Sequence, residues 1–390
     1  MIKPAGALVV IGMVCSANPA SAQSLRDVVT FLLTNRTVAT DDFVRDQQAA
    51  KAASDAVTGF LLIDLNALPI STSAGGFTYR LDPEIGISVR SSDSFDPFFT
   101  RRALTAGAQQ VTFGVSYQQS SFRTIDGRAL RSGSLISTAS RIRGQTDYFD
   151  VETVAMRLEV DTATMVANAG VTDRFEVGAA LPMVRVTLDG QRQDTYRGSG
   201  TLQASASSTT SGPGDLLLNA KYEVIRDSHR GVAVGAEARL PSGSVQNLLG
   251  TGKIGGGPLV IASIGDQRTS VHGNLGYAVG GLSRSIDYSG AATFAASNRL
   301  TLIGELSGHR LANVGRLTET AAPNPSLVNV ETVRLTSTNE TISRIVAVAG
   351  LKWNFRSTWL LSANVVRPLS DAGLNAPWTP TITLDHSFGL

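Results

Sequence analysis

The chain has 390 residues, of which 42% are hydrophobic and 17% charged, and its formal net charge is +2 at pH 7. The charges are nearly balanced and scattered, which argues against a basic surface for nucleic acid. Beyond the first residues, no apolar run approaches the ~18 residues that a transmembrane helix needs. The composition leaves either a soluble protein or a membrane protein built from short alternating strands.

The N-terminus has the layout of a secretory signal peptide. A single lysine precedes an apolar run from Ala5 to Val14, and small residues stand at Ala20 and Ala22. The run is too short to span a bilayer. We therefore predict a signal peptide over residues 1–22, with cleavage after Ala22. The only cysteine, Cys15, would be removed with it, so neither a disulfide framework nor a thiolate metal site is expected.

Residues 23–107 differ in kind from the rest. "SLRDVVTFLLTNR" spaces its apolar residues at helical intervals, and "DDFVRDQQAAKAASDAVTGFLLIDLNAL" continues as a longer, alanine-rich helix. A hairpin around 82–86 and an irregular segment rich in phenylalanine follow. We predict a helical plug or hatch here, with a periplasmic extension or two further strands as alternatives. The residues predicted to form the plug or gate are Arg90, Phe95, Phe98, Phe99, Arg101 and Arg102.

From residue 108 to 390, short polar turns alternate with long connections. The turns include "TDRF" and "GDQRTS", each flanked by runs as long as the ~9–11 residues of a spanning strand. The long connections are 125–147, 191–212, 242–256 and 314–339. Outer-membrane barrels place short turns on the periplasmic side and long loops outside, whereas soluble sandwiches have no reason to. The region is predicted to be an all-β, antiparallel transmembrane β-barrel.

Twelve strands are predicted in the barrel, and the N-terminal alternative would make fourteen. An even number places both ends of the barrel on the periplasmic side. The predicted bounds are 109–124, 151–169, 174–189, 214–226, 231–241, 257–265, 269–280, 284–296, 299–312, 342–354, 358–368 and 378–390.

Within several strands the charged residues share one face and the apolar residues the other. "MRLEVDTATMV", "DLLLNAKYEV", "VAVGAEARL" and "RIVAVAGLKW" all show this alternation. We expect the charged face to line the lumen and the uncharged face to contact outer-membrane lipid, with a bulge near Pro182. The residues predicted to line the lumen are Arg157, Glu159, Asp161, Asp215, Lys221, Glu223, Glu237, Arg239, Glu305, Arg344, Lys352 and Asp385.

The last predicted strand, "PTITLDHSFGL", places Ile382, Leu384, Phe388 and Leu390 on one face. It resembles the C-terminal strand that the barrel-assembly machinery reads. Aromatic residues close to the predicted periplasmic turns fit one aromatic girdle of a membrane barrel. They are Phe175, Tyr222, Phe294, Trp353, Trp359 and Phe388.

A family resemblance rests on a series of motifs in order along the mature chain. These are "SSDSFDPFFTRRALTAG", "VTFGVSYQQSSF", "VTDRFEVGAALPMVRVTLDG", "GPGDLLLNAKY", "ARLPSGSVQNLLGTG" and "VHGNLGYAVGG". The chain resembles the outer-membrane transporters labelled as the meta-pathway of phenol degradation. That group is similar in plan to the long-chain fatty-acid transporters of bacterial outer membranes. The resemblance implies a plugged barrel that admits small hydrophobic or aromatic compounds.

A barrel of this kind could have one of three functions. The first is passive uptake of a small hydrophobic or aromatic ligand; mixed charges in the lumen predict no strong ion selectivity. The second is a structural or adhesive surface protein. The third, an outer-membrane hydrolase, is disfavoured because no G-x-S-x-G occurs and Asp385, His386 and Ser387 alternate between faces. No spacing of His, Cys or Asp fits a metal site, and no cofactor is implied.

Overall fold

The computed structural model describes residues 24–67, 79–81, 88–90, 94–227 and 230–389. The predicted signal peptide lies outside the described residues. Two helices come first: α1 spans Leu25–Leu33 and α2 spans Phe43–Ala67. The Ser24 side chain accepts a hydrogen bond from the backbone N–H of Asp27 and so caps the start of α1. Among the described residues, neither helix is long and apolar enough to cross a membrane.

Nineteen strands follow in the described residues. They are β1 Tyr79–Leu81, β2 Ser88–Arg90, β3 Gln110–Phe122, β4 Thr124–Ile125, β5 Arg128–Ala129, β6 Leu135–Ile142, β7 Tyr148–Gly170, β8 Phe175–Tyr196, β9 Ser199–Pro213, β10 Leu216–Arg226, β11 Arg230–Leu240, β12 Gly255–Gly265, β13 Thr269–Gly280, β14 Ser285–Ser297, β15 Leu300–Pro323, β16 Val330–Arg356, β17 Trp359–Pro368, β18 Leu374–Asn375 and β19 Thr379–Gly389.

Twelve of these strands close into one antiparallel ring. Its order is β3, β7, β8, β10, β11, β12, β13, β14, β15, β16, β17 and β19, and β19 pairs back with β3. In the register Phe388 lies opposite Val111 and Thr381 opposite Gln118. The protein is thus mostly β, a closed twelve-strand barrel with two N-terminal helices.

The alternative of fourteen strands is wrong, although fourteen strands are hydrogen-bonded together. The two extra strands lie outside the ring. β9 pairs only with β8. β6 pairs with β7 and β16 beyond the end of β3, the end of β17 and the start of β19. The short hairpin of β1 and β2, predicted around 82–86, pairs only with itself among the described strands.

One end of the ring carries the tight turns after β7, β10, β12, β14 and β16, together with the start of β3 and the end of β19. We call it the turn end, and the opposite end the loop end. Two connections predicted as loops at the loop end are wrong. Most of 191–212 continues β8 and forms β9, and much of 314–339 continues β15 and β16, so both are β-hairpins that raise the wall.

The predicted bulge at Pro182 is also wrong. The β7–β8 register runs through Thr164 opposite Pro182 without a shift. On its other side β8 changes neighbour at this point, from β10, which pairs up to Ala180, to β9, which pairs from Met183. The Pro182 carbonyl accepts from Gly214 N. Because a residue's N–H and C=O point to the same side, the missing proline N–H falls in the gap between two partner strands.

The outer face changes character along the strands. Near the turn end it is apolar, and Phe113, Val115 and Met165 are about two-fifths exposed there. Asp161 is the tenth residue of β7 counted from Gly170, at the limit of the ~9–11 residues that cross a bilayer. From Asp161 upward the outer face is polar. The apolar belt therefore has the height of one membrane.

The inner face changes in the opposite sense. Near the turn end it carries polar residues such as Thr112, Ser116 and Asn168, all buried. Nearer the loop end, the inward-facing residues of β7 are apolar, and Met156 and Leu158 belong to the main hydrophobic core. The apolar residues of a strand thus change from the outer face to the inner face at the outer edge of the membrane belt. Helices packed inside the upper wall are the reason.

Both helices bury an apolar stripe against this upper inner wall. From α1 the stripe includes Val28 and Leu32, and from α2 it includes Val57 and Phe60. Leu32 lies so close to β8 that a Cβ at Gly190 would collide with it. On the other side of the ring, Ser337 and Gly315 of β16 and β15 contact α2. The helices therefore lie within the barrel at the loop end.

Candidate functional site: a lumen segment and the cavity beside it

Residues 94–106, which we call the lumen segment, cross the interior of the ring at the turn end. They contact inner-face residues of strands as far apart in the ring as β10 and β16. Such contacts are possible only from inside. Phe95, Phe98 and Ala103 of the segment are almost completely buried. The segment contains no helix or strand, so its backbone groups need partners other than a regular ladder.

Glu305 supplies several of those partners. Its carboxylate, on the inner face of β15, accepts hydrogen bonds from the backbone N–H groups of Phe98, Phe99 and Thr100. The Thr100 bond is 2.9 Å and one of the Phe99 bonds is 3.2 Å. A carboxylate offers about four acceptor positions, so one side chain can satisfy three consecutive donors. Glu305 thereby fixes the middle of the lumen segment.

Two lysines hold the carbonyls on either side. Lys352 Nζ, from β16, donates to the Pro97 carbonyl over 3.2 Å. Lys221 Nζ, from β10, donates to the Arg102 and Leu104 carbonyls over 3.1 and 2.8 Å. Both lysines are buried. Three buried charges of the wall thus replace the solvent that the segment's peptide groups would otherwise bind.

Five of the six predicted plug or gate residues lie in the lumen segment, namely Phe95, Phe98, Phe99, Arg101 and Arg102. Arg101 pairs with Glu237 of β11 over 2.5 Å, and Arg102 pairs with Asp96 of the segment itself over 3.4 Å. The phenylalanine predicted at the gate that is least buried is Phe99, which reaches the cavity described below. Arg90 lies in β2, but its side chain lies outside the described part of the chain.

Nine of the twelve residues predicted to line the lumen lie on the inner face. They are Asp215, Lys221, Glu223, Glu237, Arg239, Glu305, Arg344, Lys352 and Asp385.

The placement of Arg157, Glu159 and Asp161 in the lumen is wrong. They lie on the outer face of β7, where the Arg157 side chain is 60% exposed and pairs with Glu159 over 2.8 Å. Asp161 accepts from the outward-facing Tyr117 hydroxyl over 2.7 Å. The physical reason is height: these residues lie at or above the outer edge of the membrane belt, where the outer face meets water. Their apolar neighbours in sequence face the helices instead.

Three further ion pairs, which sequence reasoning missed, lie where the helices meet the wall. Arg192 of β8 pairs with Glu152 of β7 over 2.7 Å, and both side chains are nearly inaccessible. The same arginine donates to the Phe31 and Thr34 carbonyls at the end of α1. Cations are favoured there by the helix dipole. Arg334 of β16 pairs directly with Asp46, in the first turn of α2, over 2.6 Å.

The third pair joins Asp64 of α2 to Arg344 of β16 over 2.5 Å. Burial raises the pKa of Asp64 from its ordinary value of 3.8 to about 6, although Arg344 opposes the shift. A carboxyl whose pKa rises on docking stabilises the docked helix fully below pH 3.8 and loses that contribution as the pH rises through about 6. A lone acid in the apolar run "FLLIDLNAL" was the sequence signal for this residue.

A cavity of about 260 Å³ lies between the lumen segment, the end of α2 and the inner faces of β11–β15. Phe99 and Arg101 of the lumen segment border it, as does Ile63 of α2. The wall contributes Glu237 and His309. The site thus combines a segment that crosses the lumen with a space for a small molecule directly beside that segment.

The described residues show no metal centre. Across 24–67, 79–81, 88–90, 94–227 and 230–389, no group of three or more His, Cys, Asp or Glu side chains is placed to hold a metal ion. His386 packs between Trp359 and Phe388 on the outer face, whereas Asp385 and Ser387 face inward. These three residues therefore do not meet.

No family model matches the chain, and no curated protein matches it. The phenol-degradation resemblance therefore stays a prediction. The chain is similar to a solved outer membrane channel from Pseudomonas putida F1, with 12% identity and a TM-score of 0.49 over 73% of this chain and 98% of that one.

It is also similar to the KdgM porin in complex with disordered oligogalacturonate, with 8% identity and a TM-score of 0.37 over 70% and 99% of the two chains. For the NanC porin the values are 9% and 0.36, over 72% and 100%. Such distant likeness concerns the fold alone. The fold is established by the closed ring and its apolar belt, which are those of a bacterial outer-membrane β-barrel.

Proposed function

We propose that the protein is an outer-membrane channel for passive uptake of small hydrophobic or aromatic compounds. The turn end faces the periplasm in this account, because short turns and both barrel ends belong on that side. The lumen segment and the two helices act as the plug. The observation that best supports this proposal is that an irregular segment, held by side chains of the wall, crosses the ring directly beside a cavity.

The chemistry of the block favours a channel over a permanently sealed barrel. A ring of twelve strands encloses more space than its own side chains fill. Glu305, Lys221 and Lys352 hold the segment through hydrogen bonds to backbone groups, which water can replace one by one when the segment leaves. The lumen charges of both signs, largely paired with each other or with the segment, favour neutral solutes over ions.

Uptake by intact cells tests this proposal. In porin-deficient cells, whose lipopolysaccharide slows entry of apolar solutes, expression of the full chain is expected to raise the initial uptake rate of a radiolabelled neutral single-ring compound several-fold. A sugar of similar mass serves as the matched solute and should gain little. If neither solute enters faster than in cells without the protein, a structural or adhesive role replaces the channel.

We further propose that outer-membrane lipid covers the apolar belt and that the barrel-assembly machinery recognises β19. The support is that Ile382, Leu384 and Phe388 of β19 point outward and are at least two-fifths exposed. The same strand closes the ring against β3. A strand that is exposed on its outer face and closes the ring against β3 suits recognition during insertion.

A further inference from the structure

The wall around the cavity is uneven in height. Strands β7, β8, β15 and β16 have 23, 22, 24 and 27 residues, whereas β10–β14 have 11 to 13. The short strands scarcely exceed the ~9–11 residues that span a membrane. The cavity reaches the loop end on this low side, where residues 280–283 at the β13–β14 turn border it. Its entrance therefore lies at the outer membrane–water boundary.

The charges that line the cavity compensate each other. Two guanidinium groups, Arg101 and Arg239, are matched by two carboxylates, Glu237 and Asp287. Arg101 is bound to Glu237 over 2.5 Å. Because a further charge would lack a counter-charge in the lining, the cavity suits a neutral ligand. Apolar side chains, including Ile63, Phe99 and Leu259, form another part of its surface.

One polar group in the lining is oriented for a ligand. His309 Nδ1 lies 2.7 Å from Asp287 Oδ1, and Asp287 Oδ2 accepts from Ser285 Oγ over 3.0 Å. A carboxylate can only accept, so the imidazole carries its proton on Nδ1 and, in the neutral ring, exposes the Nε2 lone pair. Within the described part of the chain, no hydrogen bond joins Nε2 to another residue. An oriented acceptor in a mostly apolar cavity recognises a hydroxyl donor.

The volume limits the size of the ligand. A cavity of ~150 Å³ holds benzene, and pockets for drug-sized molecules start at ~300 Å³. The cavity here, about 260 Å³, lies between these limits. We propose that it binds a small neutral compound with an apolar body about the size of one six-membered ring and a single hydroxyl, which donates to His309 Nε2. This inference rests on the proposed function and names the chemistry of its solute.

Equilibrium dialysis of the full chain in amphipol tests it, with benzyl alcohol and its methyl ether as probes. Measuring free ligand corrects for partition into the amphipol. Benzyl alcohol is expected to bind about tenfold more tightly than the ether, since one hydrogen bond of ~1–1.5 kcal/mol distinguishes them. His309→Leu should abolish that preference. Ser289→Phe, which places a ring in the cavity, should abolish binding of both probes.

Ala292→Phe is the matched control, because this residue lies on the outer face of the same strand and does not line the cavity. It should bind both probes as the native chain does. Equal affinity for the two probes in the native chain, or unchanged binding in Ser289→Phe, would overturn the assignment. Uptake by cells separates the two proposals: native uptake with no binding in the cavity rejects only the site, and binding without uptake rejects only the channel.

Discussion

Replacing Glu305 by alanine is expected to release the lumen segment. The substitution leaves the buried N–H groups of Phe98, Phe99 and Thr100 without their acceptor. Each hydrogen bond to a charged group contributes ~1.5–3 kcal/mol, and relief of the buried carboxylate offsets part of the loss. We expect a net loss of about 3 kcal/mol, which corresponds to roughly a hundredfold increase in amide exchange rates.

Hydrogen–deuterium exchange of the Phe98–Thr100 amides measures this effect. Glu340→Ala is the matched control, since Glu340 pairs with Arg316 at an exposed site on the wall. Exposed pairs contribute ~0–1 kcal/mol, so exchange in the lumen segment should not change in that variant. Equal protection of the segment in Glu305→Ala and in the native chain would show that the carboxylate does not hold it.

Replacing Arg192 by methionine is expected to undock α1. The variant keeps much of the side-chain volume but leaves Glu152 buried without its cation and two carbonyls of α1 without donors. Breaking a buried pair from one side costs about 3–5 kcal/mol. The measurement is the free energy of local opening, from exchange of the α1 amides between Val28 and Leu33.

Two further variants separate the charge from the packing. Arg157→Met removes an arginine from the outer face of the same wall, where the pair with Glu159 is largely exposed, and should cost less than ~1 kcal/mol. The double variant Arg192→Met with Glu152→Met removes both buried charges and should recover part of the loss. If Arg192→Met and Arg157→Met shift the opening free energy equally, the pair does not anchor the helix.

The strand count was predictable because alternation and turn spacing are local signals. All twelve predicted strands occur, and their turn-end bounds differ from the structure by at most a few residues, as with 109–124 against Gln110–Phe122. At the loop end the prediction stopped too early for the four longest strands, β7, β8, β15 and β16. "SGTLQASASSTTSGP" of β9 is almost entirely small and polar, so no hydrophobic period marked it as a strand.

The wrong placement of Arg157, Glu159 and Asp161 has a general cause. Alternation along a strand shows which residues share a face. Whether that face meets lipid, water or the helices depends on how far the residue lies from the turn end. Lys221 and Glu305 lie within the membrane belt, so their charged side chains face inward as predicted. Arg157 lies above it, where water is outside and the helices are inside. Counting residues from the turn separates Arg157 from Lys221 and Glu305. Arg344, the thirteenth residue of β16 from the turn, still faces inward because it pairs with Asp64 of α2.

The role of the lumen charges was less accessible to sequence reasoning. That Glu305 and Lys352 would face inward followed from alternation. Their partners are backbone groups of an irregular segment about 200 residues or more away in sequence, and such contacts leave no periodic trace. Glu152, Arg192 and Arg334 were missed for a related reason, because they lie in wall extensions that were read as loop or as strand ends.

The claim that solutes pass only when the lumen segment moves is tested most directly by a disulfide across its start. Ser94 Oγ and Ser270 Oγ lie 3.1 Å apart, and both side chains are buried. Ser94→Cys with Ser270→Cys changes little volume and ties the segment to β13, while its other end is already continuous with β3. Each single cysteine variant is the matched control.

Single-channel recording of the double variant gives the decisive comparison. We expect brief openings after reduction that match those of the native chain, and no openings after oxidation, whereas the single variants should respond to neither treatment. Identical conductance of the double variant in both states, with the disulfide verified by mass spectrometry, would contradict the account, because the lumen would then conduct while the segment is held in place.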